Sequence, residues 1–276
     1  MFDAAPAPAD HSLMQDPAFA AALRLCGEEP VTLRSGLVLL SRRIVGIPVL
    51  MLPRAVPPPD LIAQLRQSGL HRRPLILSPE APVIVPRALR IAAPQQIWQL
   101  DLRLPPPLLR ARLHQKWRHQ LVQAERGPLR VLERPLAPDH PLLALETAQA
   151  RSRRYRNWPA PLTAAFAEAA PAQTHLFTAL LRGHAVAHML FLTHGSRATY
   201  HIGHATDAAR AVQAHNLLFW QALMRFSRNG ITCLDLGRSI PDAAGLDRFK
   251  SRTGARRVET AGSWLRWTPL AQRCVA

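Results

Sequence analysis

Of the 35 basic residues in this chain only two, Lys116 and Lys250, are lysine. Lysine and arginine serve equally well on a solvated face, so a chain this biased has let most exchangeable positions become arginine. A lysine that remains is either an ordinary surface residue or the mark of a place where a compact ammonium fits and a planar guanidinium does not. Lys250 has the more informative setting. It lies near the end of Gly230 to Gly254, GITCLDLGRSIPDAAGLDRFKSRTG, where an apolar strand, Ile231 to Leu236, is interrupted by one carboxylate, Asp235. Gly237 ends that strand. A loop with Pro241 and Gly245 follows, and a short helical turn carries Phe249 beside Lys250.

A second cluster is Arg151-Ser-Arg-Arg-Tyr-Arg-Asn-Trp158. Arg151, Arg153 and Arg154 interleaved with Tyr155 and Trp158 suit the gripping of phosphates and the stacking of a base. They equally suit a helix end whose cations offset the macrodipole, with the aromatics turned inward. A third basic face carries Arg110, Arg112, His114, Lys116, Arg118, His119 and Arg126; it is a phosphate or RNA contact or simply a solvated helix face.

Seven of the twelve histidines fall between His175 and His215. On a strand, His184 and His188 share a face but stand about 13 Å apart, too far to share a metal. His201 and His204 point to opposite faces, so no metal site is expected. His201, beside Tyr200, is a candidate general base for an amine; a lone strand histidine is also a common structural residue. There is no GxSxG and no cysteine with a base nearby in sequence, so nothing indicates covalent catalysis.

The elements that must position these groups follow from periodicity and turn chemistry. Pro17 to Leu25 reads as a short helix after an Ala/Pro-rich arm. Val31 to Leu40 and Arg43 to Leu52 read as a hairpin around a brief basic turn, then a helix over Leu61 to Gln67 and strands at Arg73 to Ser78 and Ile97 to Leu102. After Pro105-Pro106-Pro107 one helix is expected from Leu108 to Glu125, its apolar stripe being Leu109, Leu113, Trp117, Leu121 and Ala124. Leu129 to Glu133 is a strand and His140 to about Tyr155 a helix. His175 to Leu181, Ala185 to Thr193 and Ala198 to Ala205 form an antiparallel meander with turns at Arg182-Gly183 and Gly195-Ser196. A long helix, Val212 to Arg228, the Ile231 strand and a final strand from Arg257 to Trp267 close the chain. The expected units are 1–104, a small mixed α/β module, and 105–276.

At 276 residues the chain has room for one large or two small domains. Its net charge of +17 fits a polyanionic partner such as RNA, an anionic membrane or a phosphate-bearing substrate, and fits equally an arginine-rich composition throughout. Cys26, Cys233 and Cys274 are far apart and form no CxxC pair, which argues against a disulfide scaffold and a thiolate zinc site. The N-terminus lacks a basic leader followed by an apolar core, and no apolar run approaches the ~20 residues that span a bilayer. A cytoplasmic protein is expected, with peripheral contact to an anionic membrane allowed.

The second half resembles the GNAT-type acyltransferase domain of the Fem (FemAB-like) family. The likeness lies in Ala187 within HAVAHMLFL, in ATYHIGHAT, in the helix NLLFWQALMRFSRNG, in LDLG at Leu234 to Gly237 and in GLDRFKSRTG at Gly245 to Gly254. LHQKWRHQLVQAERG at Leu113 to Gly127 is similar to the family's basic helix ahead of this domain, so the likeness covers roughly residues 98 to 267. The resemblance implies an α/β, GNAT-like fold: a mixed, mostly antiparallel sheet flanked by helices, with an abbreviated N-terminal GNAT-like module. It implies transfer of an acyl group from an activated carrier to an amine. Lys250 matches the lysine of the family's FK motif, near the reacting carbonyl or an acceptor diphosphate, where a point charge stabilises a developing oxyanion. Asp235 would orient the amine or hold a neighbouring loop.

One departure matters. The pyrophosphate loop that CoA-dependent GNAT enzymes place before their central helix is absent, since Thr206 to Val212 contains no glycine. The helix N-terminus, helped by Arg210, remains able to bind an anion. The expected donor is therefore acyl-CoA as a co-substrate, with no bound cofactor, or aminoacyl-tRNA as in cross-bridge formation. The acceptor is a small amine or a phosphate-bearing molecule, and no stable protein partner is implied. A non-catalytic RNA-binding module on the same scaffold is the alternative of a different class.

Overall fold

The computed structural model describes residues 10–239 and 244–267, and the chain forms two compact units, one of 1–97 with 258–276 and one of 98–257. Pro241 and Cys274 lie outside the described residues, as does most of the N-terminal arm.

In the first unit α1 (Pro17–Leu25) precedes β1 (Val31–Thr32), β2 (Val38–Ile44), β3 (Ile47–Pro53), α2 (Leu61–Gln67), β4 (Leu75–Ser78) and β5 (Leu89–Ala92). The end of the arm is fastened rather than loose. Gln15 is buried, accepts from Val38 N at 2.9 Å and donates to Pro53 O at 2.7 Å, while Asp16 caps α1 through Ala18 N. The hairpin turns at Val45-Gly46, both with positive φ, and not at Ser41-Arg42, which lies within β2. Two consecutive left-handed residues make the turn whose twist matches the strands it joins.

The second unit contains β6 (Gln96–Asp101), α3 (Pro106–Arg112), α4 (Gln115–Arg126), β7 (Leu129–Arg134), α5 (Leu142–Arg153), α6 (Ala160–Ala169), β8 (Thr174–Leu181), β9 (His184–His194) and β10 (Arg197–Ala205). Then come α7 (Asp207–Ala211), α8 (Ala214–Arg228), β11 (Cys233–Arg238), α9 (Ala244–Ser251) and β12 (Arg256–Glu259), and the chain returns to the first unit with β13 (Ser263–Arg266). The sheet runs β12-β6-β11-β10-β9-β8-β7; β8 through β10 form the expected antiparallel meander, and β7 extends it by pairing antiparallel with β8. β11 joins β10 in parallel.

Three expectations meet local chemistry that overrides periodicity. The helix predicted from Leu108 breaks at Leu113-His114, because His114 N donates to Arg252 O and its ring caps Lys116 N. The helix predicted from Val212 starts instead at Ala214, because Gln213 before it is left-handed with φ 57°, and the short α7 precedes that break. The single closing strand is two, β12 and β13, with Gly262 between them at φ 78°. A Cβ there would stand 2.3 Å from Ala92 O, so the reversal requires glycine. β13 lies between β4 and β5, and Trp264 packs into the first unit's core with Leu52 and Leu77.

The core of the second unit sits between the sheet and α8. Phe219 and Phe226 on α8 meet Phe191 of β9 with ring centroids at 6.4 and 5.4 Å, and Trp117 of α4 meets Phe219 at 5.9 Å. These apolar contacts fix α8 and α4 as the rigid frame behind the strand ends.

Candidate active site

β10 and β11 pair only over Arg197↔Cys233, Ala198↔Leu234 and Thr199↔Asp235. A bulge then disturbs β10 between Tyr200 and Ile202. From the bulge to Ala205 the strand keeps its β9 partners and, among the described residues, has none toward β11, so the two strands part like a fork.

A cavity of about 220 Å³ opens at this fork. Gly203 of β10, the start of α8 and Phe249 of α9 line it, with Arg153 and Arg210 among its polar residues. Gly203 is confined: a Cβ there would stand 1.8 Å from Tyr200 Oη. No side chain caps the N-terminus of α8, where Gln213 holds its left-handed conformation. The helix dipole and two guanidinium groups together make this a place for anionic groups. Asp207 pairs with Arg210, while Arg153 forms no ion pair among the described residues.

One lining residue escaped the sequence reading. Asn216 is 6 % exposed and its Nδ2 has no hydrogen-bond partner. A buried amide N–H without a partner costs about 1–3 kcal/mol. The visible signal was a single amide inside the apolar run Ala214 to Trp220, but only the cavity shows which way it faces.

At the end of β11, Lys250 is 4 % exposed, and its Nζ donates to Arg238 O at 2.9 Å. Burial pulls its pKa down to about 8, against the opposing charges of Asp235 and Asp247. Asp235, also 4 % exposed, accepts from Gly237 N at 2.6 Å, so one of its oxygens caps the turn that ends β11. Gly237 has φ 78°, and a Cβ there would lie 3.8 Å from Lys250 Nζ. Asp247 holds Trp98 Nε1 at 2.7 Å and Arg257 at 3.0 Å, which fixes α9. Phe249 packs on Phe219 and Trp117 and reaches the fork cavity. The structure thus gathers Lys250, Asp235 and Phe249 near the diverging strands, although only Phe249 of the three lines the cavity.

The remaining predicted residues divide. His201 turns to α6: its Nε2 lies 2.9 Å from Thr163 Oγ1, Trp158 stacks edge-on at 4.9 Å, and desolvation lowers its pKa to about 4. Tyr200 packs on Phe191 with burial raising its phenol pKa, and Tyr155 donates to Glu146 at 2.8 Å. Arg151 and Arg154 are exposed at the end of α5, Arg154 with φ 56°. Lys116 is exposed on the first turn of α4, and Arg118 donates to Ala111 O at 3.1 Å; neither lines this cavity. Cross-strand His188 and His204 are Cα partners, and desolvation lowers both imidazole pKa values, that of His188 to about 4.

Residues 109–251 match the family model described as acetyltransferase (GNAT) domain, more than half of the chain. The chain belongs to the GNAT acetyltransferase-domain family. Among solved structures this GNAT chain is similar to FemX, with a TM-score of 0.75, 12% identity and 96% of each chain covered. It is similar also to the C-terminal domain of a protein assigned as a lysylphosphatidylglycerol synthetase from Agrobacterium fabrum, with a TM-score of 0.61, 14% identity, and 95% and 92% of the two chains covered. L-PGS from Bacillus licheniformis gives a TM-score of 0.56 at 10% identity over 96% of each chain. At these identities the likeness is one of fold, a Fem-like GNAT fold. No curated protein matches the sequence. Among the described residues no helix is long and apolar enough to cross a membrane.

Proposed function

We propose that this GNAT protein transfers an acyl or aminoacyl group from an activated carrier, acyl-CoA before aminoacyl-tRNA, to an amine. The observation that carries the reading is the fork: two strands that part beside a cavity holding an unpaired buried amide. An extended carrier arm entering there would pair with the free edge of β10, as an added strand does. Asn216 Nδ2 would donate to one of its carbonyl oxygens, and Arg153, Arg210 and the N-terminus of α8 would receive its phosphates.

In the reaction the amine nitrogen attacks the carbonyl carbon of the thioester or ester. A C–N bond forms, the C–S or C–O bond breaks with its electron pair going to the leaving group, and the amine proton ends on that group or in solvent. Lys250 has two N–H groups beyond the one given to Arg238 O, and its charge favours the oxygen that turns negative in the tetrahedral intermediate. Asp235 holds the β11 turn beneath it.

A thermal-shift screen with CoA thioesters, free CoA and uncharged tRNA tests the reading. A carrier at about a hundred times its dissociation constant adds ~2.7 kcal/mol, which is several degrees of melting temperature. A shift with a thioester class supports the CoA donor, and a shift with tRNA alone moves the donor to aminoacyl-tRNA. RNA binding that falls steeply with salt, with no acyl transfer to any amine, favours instead the non-catalytic RNA module that the +17 charge also fits.

A further inference from the structure

A second cavity, of about 460 Å³, lies on the other side of the β10 bulge between α5 and α6. Leu143, Ala150, Trp158, Pro161 and Ile202 give it apolar walls, and Glu146 stands among them. Glu146 is 6 % exposed. Its Oε1 accepts from Asn157 Nδ2 at 2.9 Å; its Oε2 accepts from Tyr155 Oη at 2.8 Å and, more weakly, from Gln149 Nε2 at 3.4 Å. All three donors are neutral. Arg156 stands exposed at the rim, yet no lysine, arginine or histidine among the described residues forms an ion pair with Glu146.

Among the described residues two other carboxylates are as enclosed as Glu146, but Asp16 pairs with His11 and Asp235 lies in the field of the Lys250 ammonium. Glu28, Asp101, Glu125, Glu133, Asp207 and Asp247 each pair with an arginine, and all are less enclosed than Glu146. A buried carboxylate without an opposite charge is costly, and neutral donors aim it without balancing it. A carboxylate offers about four lone-pair sites, of which three are used here, leaving one for a further donor. Tyr155 and Trp158 add ring faces that attract a cation.

We propose that the α5–α6 cavity binds an aliphatic amine as its ammonium ion, with Glu146 as counter-ion. Ile202 lines this cavity and Gly203 lines the fork, so consecutive residues of β10 serve the two sites. Gln149 Nε2 bridges them, donating to Tyr155 Oη at 2.9 Å and to Gly203 O at 3.1 Å. Given the acyl-transfer reading, the bound ammonium belongs to the acceptor; the binding itself does not depend on that reading.

The test is calorimetric titration of the full chain with n-pentylammonium chloride, against n-pentanol and sodium pentanoate. Pentylammonium is expected to bind at least about tenfold more tightly than pentanol, the margin of a charge-assisted contact, and pentanoate not to bind. Glu146→Gln keeps the shape and removes the charge, and should lose that margin. Ala150→Phe fills the half-buried lip of the cavity without touching the carboxylate, and should weaken both ligands. Equal binding of pentylammonium and pentanol overturns the proposal, as does wild-type affinity for pentylammonium in a folded Glu146→Gln protein. So does unaltered binding in Ala150→Phe. Thermal shifts with CoA thioesters and with tRNA, run on the same samples, separate the two readings: amine binding without any shift from either carrier leaves this site standing and removes the acyl-transfer reading.

Discussion

Lys250 Nζ donates to the carbonyl oxygen of Arg238 at 2.9 Å, which fastens α9 to the last residue of β11. Both ends of this contact sit where the strands have already separated, so the ammonium is held by the backbone of the fork and not by solvent.

That enclosure gives a pH signature. The folded pKa of Lys250, about 8, is below the ordinary 10.5, so between those values the unfolded chain binds more protons. Stability is expected to rise with pH across that window, by the linkage between proton binding and unfolding. Lys250→Met should flatten this rise in denaturant titrations from pH 7.5 to 10. Lys250→Ala should lower the melting temperature as well as turnover, since it leaves a void and an unmet carbonyl. Wild-type turnover in either variant removes Lys250 from the reaction.

Asn216→Leu should separate stability from function. It removes a buried N–H that has no partner, so the free protein should be as stable as wild type or more so, by up to about 1 kcal/mol. Donor affinity should fall roughly threefold to tenfold, the worth of one ordinary hydrogen bond. Melting curves with and without the carrier measure both quantities. A carrier shift that Asn216→Leu leaves intact would show that the amide does not contact the carrier.

The Gly203–Tyr200 contact predicts a rescue. Gly203→Ala would put Cβ 1.8 Å from the phenol oxygen and should cost about 1–3 kcal/mol through forced repacking. Tyr200→Phe removes that oxygen, and the double variant should recover most of the loss. Additive losses in the double-mutant cycle would place the strain elsewhere.

His201 is expected to remain neutral until about pH 4 in the folded protein. Because the folded pKa is depressed, the unfolded chain takes up protons first, and stability should fall as pH drops from the ordinary 6.5 toward 4. His201→Gln should make that acid decline shallower in melting curves. Imidazole NMR titration measures the pKa directly. A value near 6.5, joined to a matching limb in the rate profile of the wild type alone, would return His201 to the role of general base.

Much of the architecture was legible from one chain. The meander followed from three apolar runs separated by tight turns such as Arg182-Gly183, whose residues both have positive φ. The apolar stripe of α8 and the order of motifs from Ala187 to Gly254 carried the family. Lys250 and Asp235 were singled out by scarcity, one of two lysines among many arginines and one acid in an apolar strand. These are local or compositional facts, and local physics is written in adjacent residues. The fork, the direction of Asn216, the isolation of Glu146 and the insertion of β13 between β4 and β5 are not. Each depends on which distant segments share space: Asn216 lines one cavity with Gly203 and Phe249, and Glu146 is enclosed by Gln149, Tyr155 and Asn157 with no ion pair among the described residues. A side chain's type is fixed by sequence, whereas its partners are decided by packing between residues far apart in the chain.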